Sequence, residues 1–289
     1  MRVAVIGHGA IGHVVERALA GRADVLVIDR TRAPLRANEK RVDAAIVCVK
    51  THGTAWAADV AKRVLKPDGY AVTIQNGLGN YEVLRDAVGV RRAAVGVIYV
   101  GARLDEKGEL HATGPGRVEL GGVDGRGLHD LEELANLLAD GGMDVDIPAD
   151  PWPSVWRKVV TNAAVNPLSA LIRKTNAELL ADASTSRVAD GIAREVARVA
   201  SAAGVPISDD DAVKQWRAMA ALTGANRSSM LQDVEAGRST EIDAINGAVF
   251  REGEMRGVAA PLNQAMTLLV SAVHPGHGQM PTDAGTRAG

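Results

Sequence analysis

The chain has 289 residues, which suggests two domains or one large one, and its hydrophobic share of 46% is ample for a buried core. Aromatics make up only 3% and the formal net charge is −2, with no basic tract, so a nucleic-acid-binding surface with base-stacking platforms is excluded. Cys48 is the sole cysteine, which rules out an intrachain disulfide framework and a cysteine-built metal site; in the run AAIVCVK it reads as a buried strand residue.

In chain order, RVAVI (2–6) reads as a short buried strand. GHGAIG follows at once, and HVVERALAG reads as a helix ended by Gly21. DVLVID is a second strand closing at Asp29. A lone GxGxxG is weak evidence. One that follows a strand, opens a helix and is answered by an acid about 20 residues on is the dinucleotide fingerprint. Gly7 then makes the tight turn, Gly9 lets a pyrophosphate approach the backbone, and Gly12 lets helix and strand pack closely. With His8, Ala10 and Ile11 they form the candidate phosphate cradle at a helix N-terminus. Asp29 suits a ribose 2′-hydroxyl and hence NAD, whereas Arg30 and Arg32 suit a 2′-phosphate and hence NADP; the residues alone leave this open.

The alternation continues with a strand at 42–49, a helix at 55–65 and a strand at 70–75. Lys50 and Asn76 stand just past the third and fourth strands, where open α/β sheets bind ligands; ordinary loop polarity is the alternative. RRAAVGVIYVGARL and RVELGG add strand-like runs, and LHDLEELANLLADGG a helix.

PWPSVW has the look of a domain junction, and beyond it the pattern is helical: about 154–171, 176–203, 209–222, 229–236, 240–257 and 262–273. In the first of these, Val155, Trp156, Val159, Val160, Ala163 and Ala164 form an apolar stripe of helical period. Lys158, Asn162 and Asn166 stand beside it at steps of four, on one face. That face suits either a cleft for an anionic or carbonyl substrate, or plain solvent. Ser229 with Gln232, and Thr240 with Asp243, fit capping boxes, so Ser229 is either a cap or a site residue. Glu241 opens a helix, where the dipole favours an acid. Asn166 precedes Pro167, which alone can end a turn. No metal cluster is evident. The domains expected are 1–150, 151–275 and a disordered tail at 276–289, whose His274 and His277 read as solvated. No secretory signal or run long enough to span a membrane is seen, so a soluble cytoplasmic protein is expected.

GHGAIG, VCVK, QNGLGN, HATGPG, WRKVVTNAAVNPLSAL and NRSSMLQDVEAGRSTEIDAINGAV together resemble the ketopantoate reductases (2-dehydropantoate 2-reductases) over nearly the whole chain. The resemblance implies an α/β class: an N-terminal Rossmann dinucleotide-binding domain followed by an all-α domain like that of 6-phosphogluconate dehydrogenase, with the active site in the cleft between them. It implies NADPH-dependent reduction of 2-dehydropantoate to pantoate in pantothenate and coenzyme A synthesis. Lys158 matches the catalytic lysine and Glu241 the acid at the substrate hydroxyl. Asn162, Asn166, Asn176, Asn226 and Ser229 match substrate positions. Lys50 and Asn76 match cofactor contacts, and Arg30 the position that meets the 2′-phosphate. One departure stands out. Only ten residues separate Arg30 from Arg41, where the family has a longer connection, which keeps NADH in play.

The expected partner is thus a small 2-oxo acid, with neither nucleic acid nor membrane. Helical second domains of this type often bury surface between subunits, which allows a homodimer. The rival readings are a reductase of another 2-oxo acid on the same scaffold, a non-catalytic NAD(P)-binding sensor, and an S-adenosylmethionine-dependent methyltransferase.

Overall fold

The computed structural model describes residues 1–31, 41–105, 107–114, 116–122 and 129–273. Arg32, the rest of the short connection to Arg41, Pro115 of HATGPG, and the tail with His274 and His277 lie outside the described residues. The chain divides into two compact units, Met1–Val159 and Val160–Gly289.

The first unit alternates strand and helix: β1 (Arg2–Ile6), α1 (Ala10–Leu19), β2 (Asp24–Ile28), β3 (Val42–Val47), α2 (Thr54–Val64), β4 (Leu65–Thr73), α3 (Asn80–Val88) and β5 (Ala93–Tyr99). A hairpin of β6 (Ala102–Leu104) and β7 (Leu110–Ala112) follows, then β8 (Arg117–Gly122), α4 (His129–Asp140) and β9 (Asp144–Asp146). The main sheet runs β2-β1-β3-β4-β5-β8-β9. Its first five strands are mutually parallel, β8 is antiparallel to β5, and β9 is parallel to β8. Strands covered on both faces must be apolar along their whole length, and VAVI of β1 and AAIV of β3 are buried throughout. One face of the sheet packs with α2 and α3 around Ile6, Val47, Ala57, Leu65 and Leu84. The other packs with α1 and α4 around Val5, Val15, Leu19, Ile46 and Leu134.

The strand order reverses between β1 and β3, so the connections leaving these two strands part in opposite directions. That switch point is where such sheets open a crevice at their carboxyl edge. The turns after β1, β2, β3 and β4 all end there. Cys48 lies one residue beyond β3 and is partly exposed, not inside the strand as expected. β4 begins at Leu65 rather than residue 70, through an irregular register around Val42 and Ala44.

The last helix of the first unit, α5 (Trp152–Ile172), runs on without a break into the second. All six members of its apolar stripe are buried, as expected. The second unit otherwise holds α6 (Asn176–Ala181), α7 (Ala183–Ala202), α8 (Asp209–Leu222), α9 (Ser229–Glu235), α10 (Asn246–Arg256) and α11 (Pro261–Val273). Among its described residues no strand occurs.

Three boundaries differ from expectation. The helix predicted over 176–203 is two, because Asp182 turns its carboxylate onto the N–H groups of Ser184 (3.0 Å) and Thr185 (2.9 Å) and starts α7 anew. The cap of α9 is Ser228, whose hydroxyl accepts from Leu231 N (3.1 Å), so Ser229 is the first helical residue instead. Thr240 and Asp243 form no capping box. The Thr240 hydroxyl accepts from Ile242 N, two residues on (3.4 Å), and a run of turns delays α10 to Asn246.

Among the described residues, no helix is long and apolar enough to cross a membrane.

Candidate active site

The first unit carries the glycine turn. Gly7 has φ +103°, and its N–H donates to Ile28 O (2.8 Å), tying the turn to the end of β2. A Cβ at Gly7 would fall within 3 Å of the Val49 backbone, and one at Gly12 would lie 2.0 Å from the Gly7 carbonyl. A Cβ at Gly9 would meet nothing within 4 Å. Two of these glycines are therefore demanded by the protein's own packing. The third borders open space at the N-terminus of α1. That helix starts at Ala10 and Ile11 with no side-chain cap and no acid in its first turn, so its leading N–H groups remain available to an anion. His8 lies beside this turn. Its Nε2 donates to Glu16 Oε2 (2.6 Å) and its ring stacks on His13 at 3.7 Å. A dinucleotide pyrophosphate fits this arrangement: an uncapped helix end, a gap where a side chain would otherwise stand, and a positive dipole.

At the end of β2 the open question between Asp29 and Arg30 gains detail. Asp29 Oδ1 accepts from Thr31 N (2.8 Å) and Thr31 Oγ1 (2.6 Å), so this carboxylate oxygen serves its own turn. Arg30 is exposed, with its guanidinium over the Trp56 ring at 6.0 Å from the centroid. Among the described residues it has no ion-pair partner.

The loops after β3 and β4 are bound to each other. Gln75 Nε2 donates to Val49 O (2.9 Å) and to the Thr54 hydroxyl (2.8 Å). The Thr54 hydroxyl in turn donates to Asn80 Oδ1 (2.8 Å), and Asn80 Nδ2 donates to Asn76 O (2.9 Å). This partly buried weave ties the backbone at Val49, just before Lys50, to that of Asn76. Gln75, Thr54 and Asn80 were not singled out from sequence, although two of them lie within the QNGLGN motif.

Lys158, on α5, is half-buried. Its ammonium donates to the Ile98 carbonyl and lies 5.4 Å from the centroid of the Tyr99 ring. Burial, with help from Glu119, pushes the Tyr99 phenol up to about 12, so the ammonium faces a neutral ring. Lys158 lines a cleft together with Gln75, Gly77, Asn80, Tyr81 and Trp152. The first unit thus places the candidate catalytic cation beside the loop that follows β4.

The second unit holds the remaining candidates. Asn162 and Asn166 follow Lys158 along α5 at steps of four; Asn166 is buried and Asn162 partly so. Asn176 and Asn226 are brought together. Asn176 N donates to Asn226 O (3.1 Å) and Asn176 Nδ2 to the Thr223 hydroxyl (2.8 Å), while the buried Asn176 Oδ1 has no partner among the described residues. Asn226 and Ser229 are exposed. Glu241 is buried, and its carbonyl accepts from Ala244 N and Ile245 N (both 3.1 Å), opening the turns that lead into α10.

Comparison with known proteins places the chain in one family. The N-terminal and C-terminal models of ketopantoate reductase match residues 33–125 and 152–274 respectively. The 2-dehydropantoate 2-reductase of Archaeoglobus fulgidus is 34% identical over 298 aligned positions, covering 95% of this chain and 98% of its own. The chain belongs to the ketopantoate reductase family. It is an NAD(P)-dependent oxidoreductase.

Solved relatives agree in fold. A 2-dehydropantoate 2-reductase from Geobacter metallireducens is 27% identical with a TM-score of 0.83, over 94% of this chain and 99% of that one. A D-mandelate dehydrogenase in complex with NADH is 25% identical with a TM-score of 0.87, over 95% and 99%.

Proposed function

We propose that this ketopantoate reductase family member reduces 2-dehydropantoate to pantoate with NADPH, in the cytoplasm, as a step toward pantothenate and coenzyme A. The observation that carries the reading is the setting of Lys158. A single ammonium, steadied by a backbone carbonyl and an aromatic ring, stands in the cleft beside the post-β4 loop. Whole-length similarity to proteins named for this reaction supports the substrate.

Gly7, Gly9 and Gly12 with the first turn of α1 would hold the pyrophosphate, and Lys50 and Asn76 the nicotinamide side. Arg30 would meet the 2′-phosphate. Its guanidinium has no carboxylate to answer among the described residues, whereas Asp29 Oδ1 is engaged by Thr31. When bound, the reduced nicotinamide supplies a hydride to the keto carbon, and the carbonyl π electrons move onto oxygen. Lys158 stabilises that growing negative charge and gives the oxygen its proton, leaving a secondary alcohol and a neutral amine that is reprotonated from solvent. Glu241 orients the substrate hydroxyl. Asn226 and Ser229 bind the carboxylate or the distal hydroxyl, and Asn162, Asn166 and Asn176 supply further amide contacts.

A reductase of another 2-oxo acid is the second reading. It is favoured by the fold similarity to D-mandelate dehydrogenase and by the short connection between Arg30 and Arg41.

Cofactor oxidation followed by absorbance, with 2-dehydropantoate and either NADPH or NADH, tests both. Turnover with NADPH should fall about 10²–10⁴-fold in Lys158→Ala. Turnover with other 2-oxo acids but not 2-dehydropantoate would select the second reading. A Lys158→Ala protein that keeps full turnover would remove the mechanism.

A further inference from the structure

Pro167 lies inside α5 and has no N–H. The carbonyl four residues earlier, that of Ala163, therefore loses its helical donor. It sits in the turn between Asn162 and Asn166, in a fully buried stretch where an unmet carbonyl is costly.

The missing donor comes from α10. Asn246 is fully buried, and its Nδ2 donates to Ala163 O (3.1 Å). The direction of that amide is set from a distance. Glu195, buried on α7, accepts from Leu262 N (2.9 Å), Asn263 N (3.0 Å) and Asn263 Nδ2 (2.8 Å) at the start of α11. A carboxylate can only accept, so Asn263 must turn its Nδ2 toward Glu195 and its Oδ1 toward Asn246. Asn246 must then present Nδ2 to Asn263 Oδ1 (3.1 Å), and the same NH₂ group serves the Ala163 carbonyl. Neither amide can flip without setting like groups against each other. The Oδ1 of Asn246 is left buried with no partner among the described residues, an expense this polarity imposes.

We infer that Asn246 is a positioning residue for the oxo-acid half of the reaction. It pins the α5 turn that carries Asn162 and Asn166, and it is itself the first residue after the turns opened by Glu241. One side chain thereby fixes the register between two elements that bear substrate-binding candidates. This rests on the proposed roles of Asn166 and Glu241.

The test uses the full-length enzyme with 2-dehydropantoate varied at saturating NADPH, and NADPH affinity measured separately. Asn246→Leu keeps the size and removes the donor. KM for the oxo acid should rise about tenfold, with NADPH affinity unchanged within about twofold. Pro167→Ala returns an N–H to the Ala163 carbonyl, so Pro167→Ala/Asn246→Leu should recover most of that loss. Were Asn246→Leu alone not to fold, the double variant should still fold and hold its KM within about threefold of Pro167→Ala alone. An unchanged KM in a folded Asn246→Leu overturns the inference. So does a loss that Pro167→Ala fails to recover, or a double variant that does not fold. Asn166→Ala and Glu241→Gln run in parallel: if neither disturbs oxo-acid kinetics, the substrate reading itself has failed.

Discussion

The two units build their candidate sites by opposite means. In the first, the proposed phosphate cradle is made of backbone and of missing side chains: Gly7 and Gly12 close on their own neighbours, and Gly9 leaves a gap. In the second, the candidate groups are amides and a carboxylate whose places depend on side chains elsewhere, through the partly buried Thr223 for Asn176 and through the buried Asn246 for the turn holding Asn162 and Asn166. A cradle of backbone tolerates change around it and none within it. A site of side chains is exposed to substitutions many residues away.

The sharpest way to break that contrast is at the glycines. Gly9→Leu should leave thermal stability unchanged and weaken either dinucleotide by about 100-fold or more, since the new side chain enters only open space, at the proposed phosphate position. Calorimetric titration beside a melting curve reads both. Gly12→Leu should instead fail to fold, and a folded Gly12→Leu would refute the packing argument.

A smaller effect is expected in the second unit at Asp190. This buried carboxylate accepts from Trp216 Nε1 (2.9 Å) and from Arg217 Nε (3.0 Å) and Nη2 (2.8 Å). Burial alone would raise its pKa, but these donors outweigh it and hold the group below its ordinary value of 3.8. A depressed folded-state pKa contributes stability that is complete above the unfolded value and is lost as pH falls through the folded one. Asp190→Asn should therefore cost about 2–3 kcal/mol at neutral pH. The gap from wild type should narrow below pH 3.8. Denaturant melts across pH check it; a gap that persists in acid would place the loss in packing.

The smallest effect concerns Trp56, which underlies Arg30. An exposed cation–π contact of about 0.5–1 kcal/mol converts to roughly two- to fivefold in NADPH affinity for Trp56→Leu, with NADH affinity unmoved. Equal weakening of both cofactors would assign Trp56 to general packing instead.

What could be read from the residues follows the same division. The strand–glycine–helix grammar of 1–100 depends on local sequence, so the sheet, the glycine turn and the placement of Lys50 and Asn76 just past their strands were legible. The α5 stripe was legible because burial imposes a period. The breaks at Asp182 and at 240–245 were not, since a cap there competes with a continuing helical pattern and only tertiary contacts choose between them. Asn246 was invisible for another reason. Its partner is the Ala163 carbonyl, eighty-three residues away in sequence, and the vacancy it fills arises from a proline that looks like a helix breaker. Trp56 gave no signal either, because a lone indole in a helix reads as core.

Asn246 is followed by Gly247, the dipeptide most prone to lose its side-chain amide, because a small and mobile glycine lets its backbone nitrogen attack the neighbouring carbonyl carbon. In the folded chain that nitrogen is engaged, donating to Ile242 O at 3.0 Å. In the unfolded chain it is free. That attack expels ammonia and closes a cyclic imide, which water opens to aspartate or isoaspartate; either puts a carboxylate, an acceptor, where the Ala163 carbonyl and Asn263 Oδ1 need a donor. Time spent unfolded is thus written covalently into Asn246, as it is into Asn76 of the chain's other Asn–Gly pair, and a chain that has aged at Asn246 returns to a fold whose central amide can no longer donate.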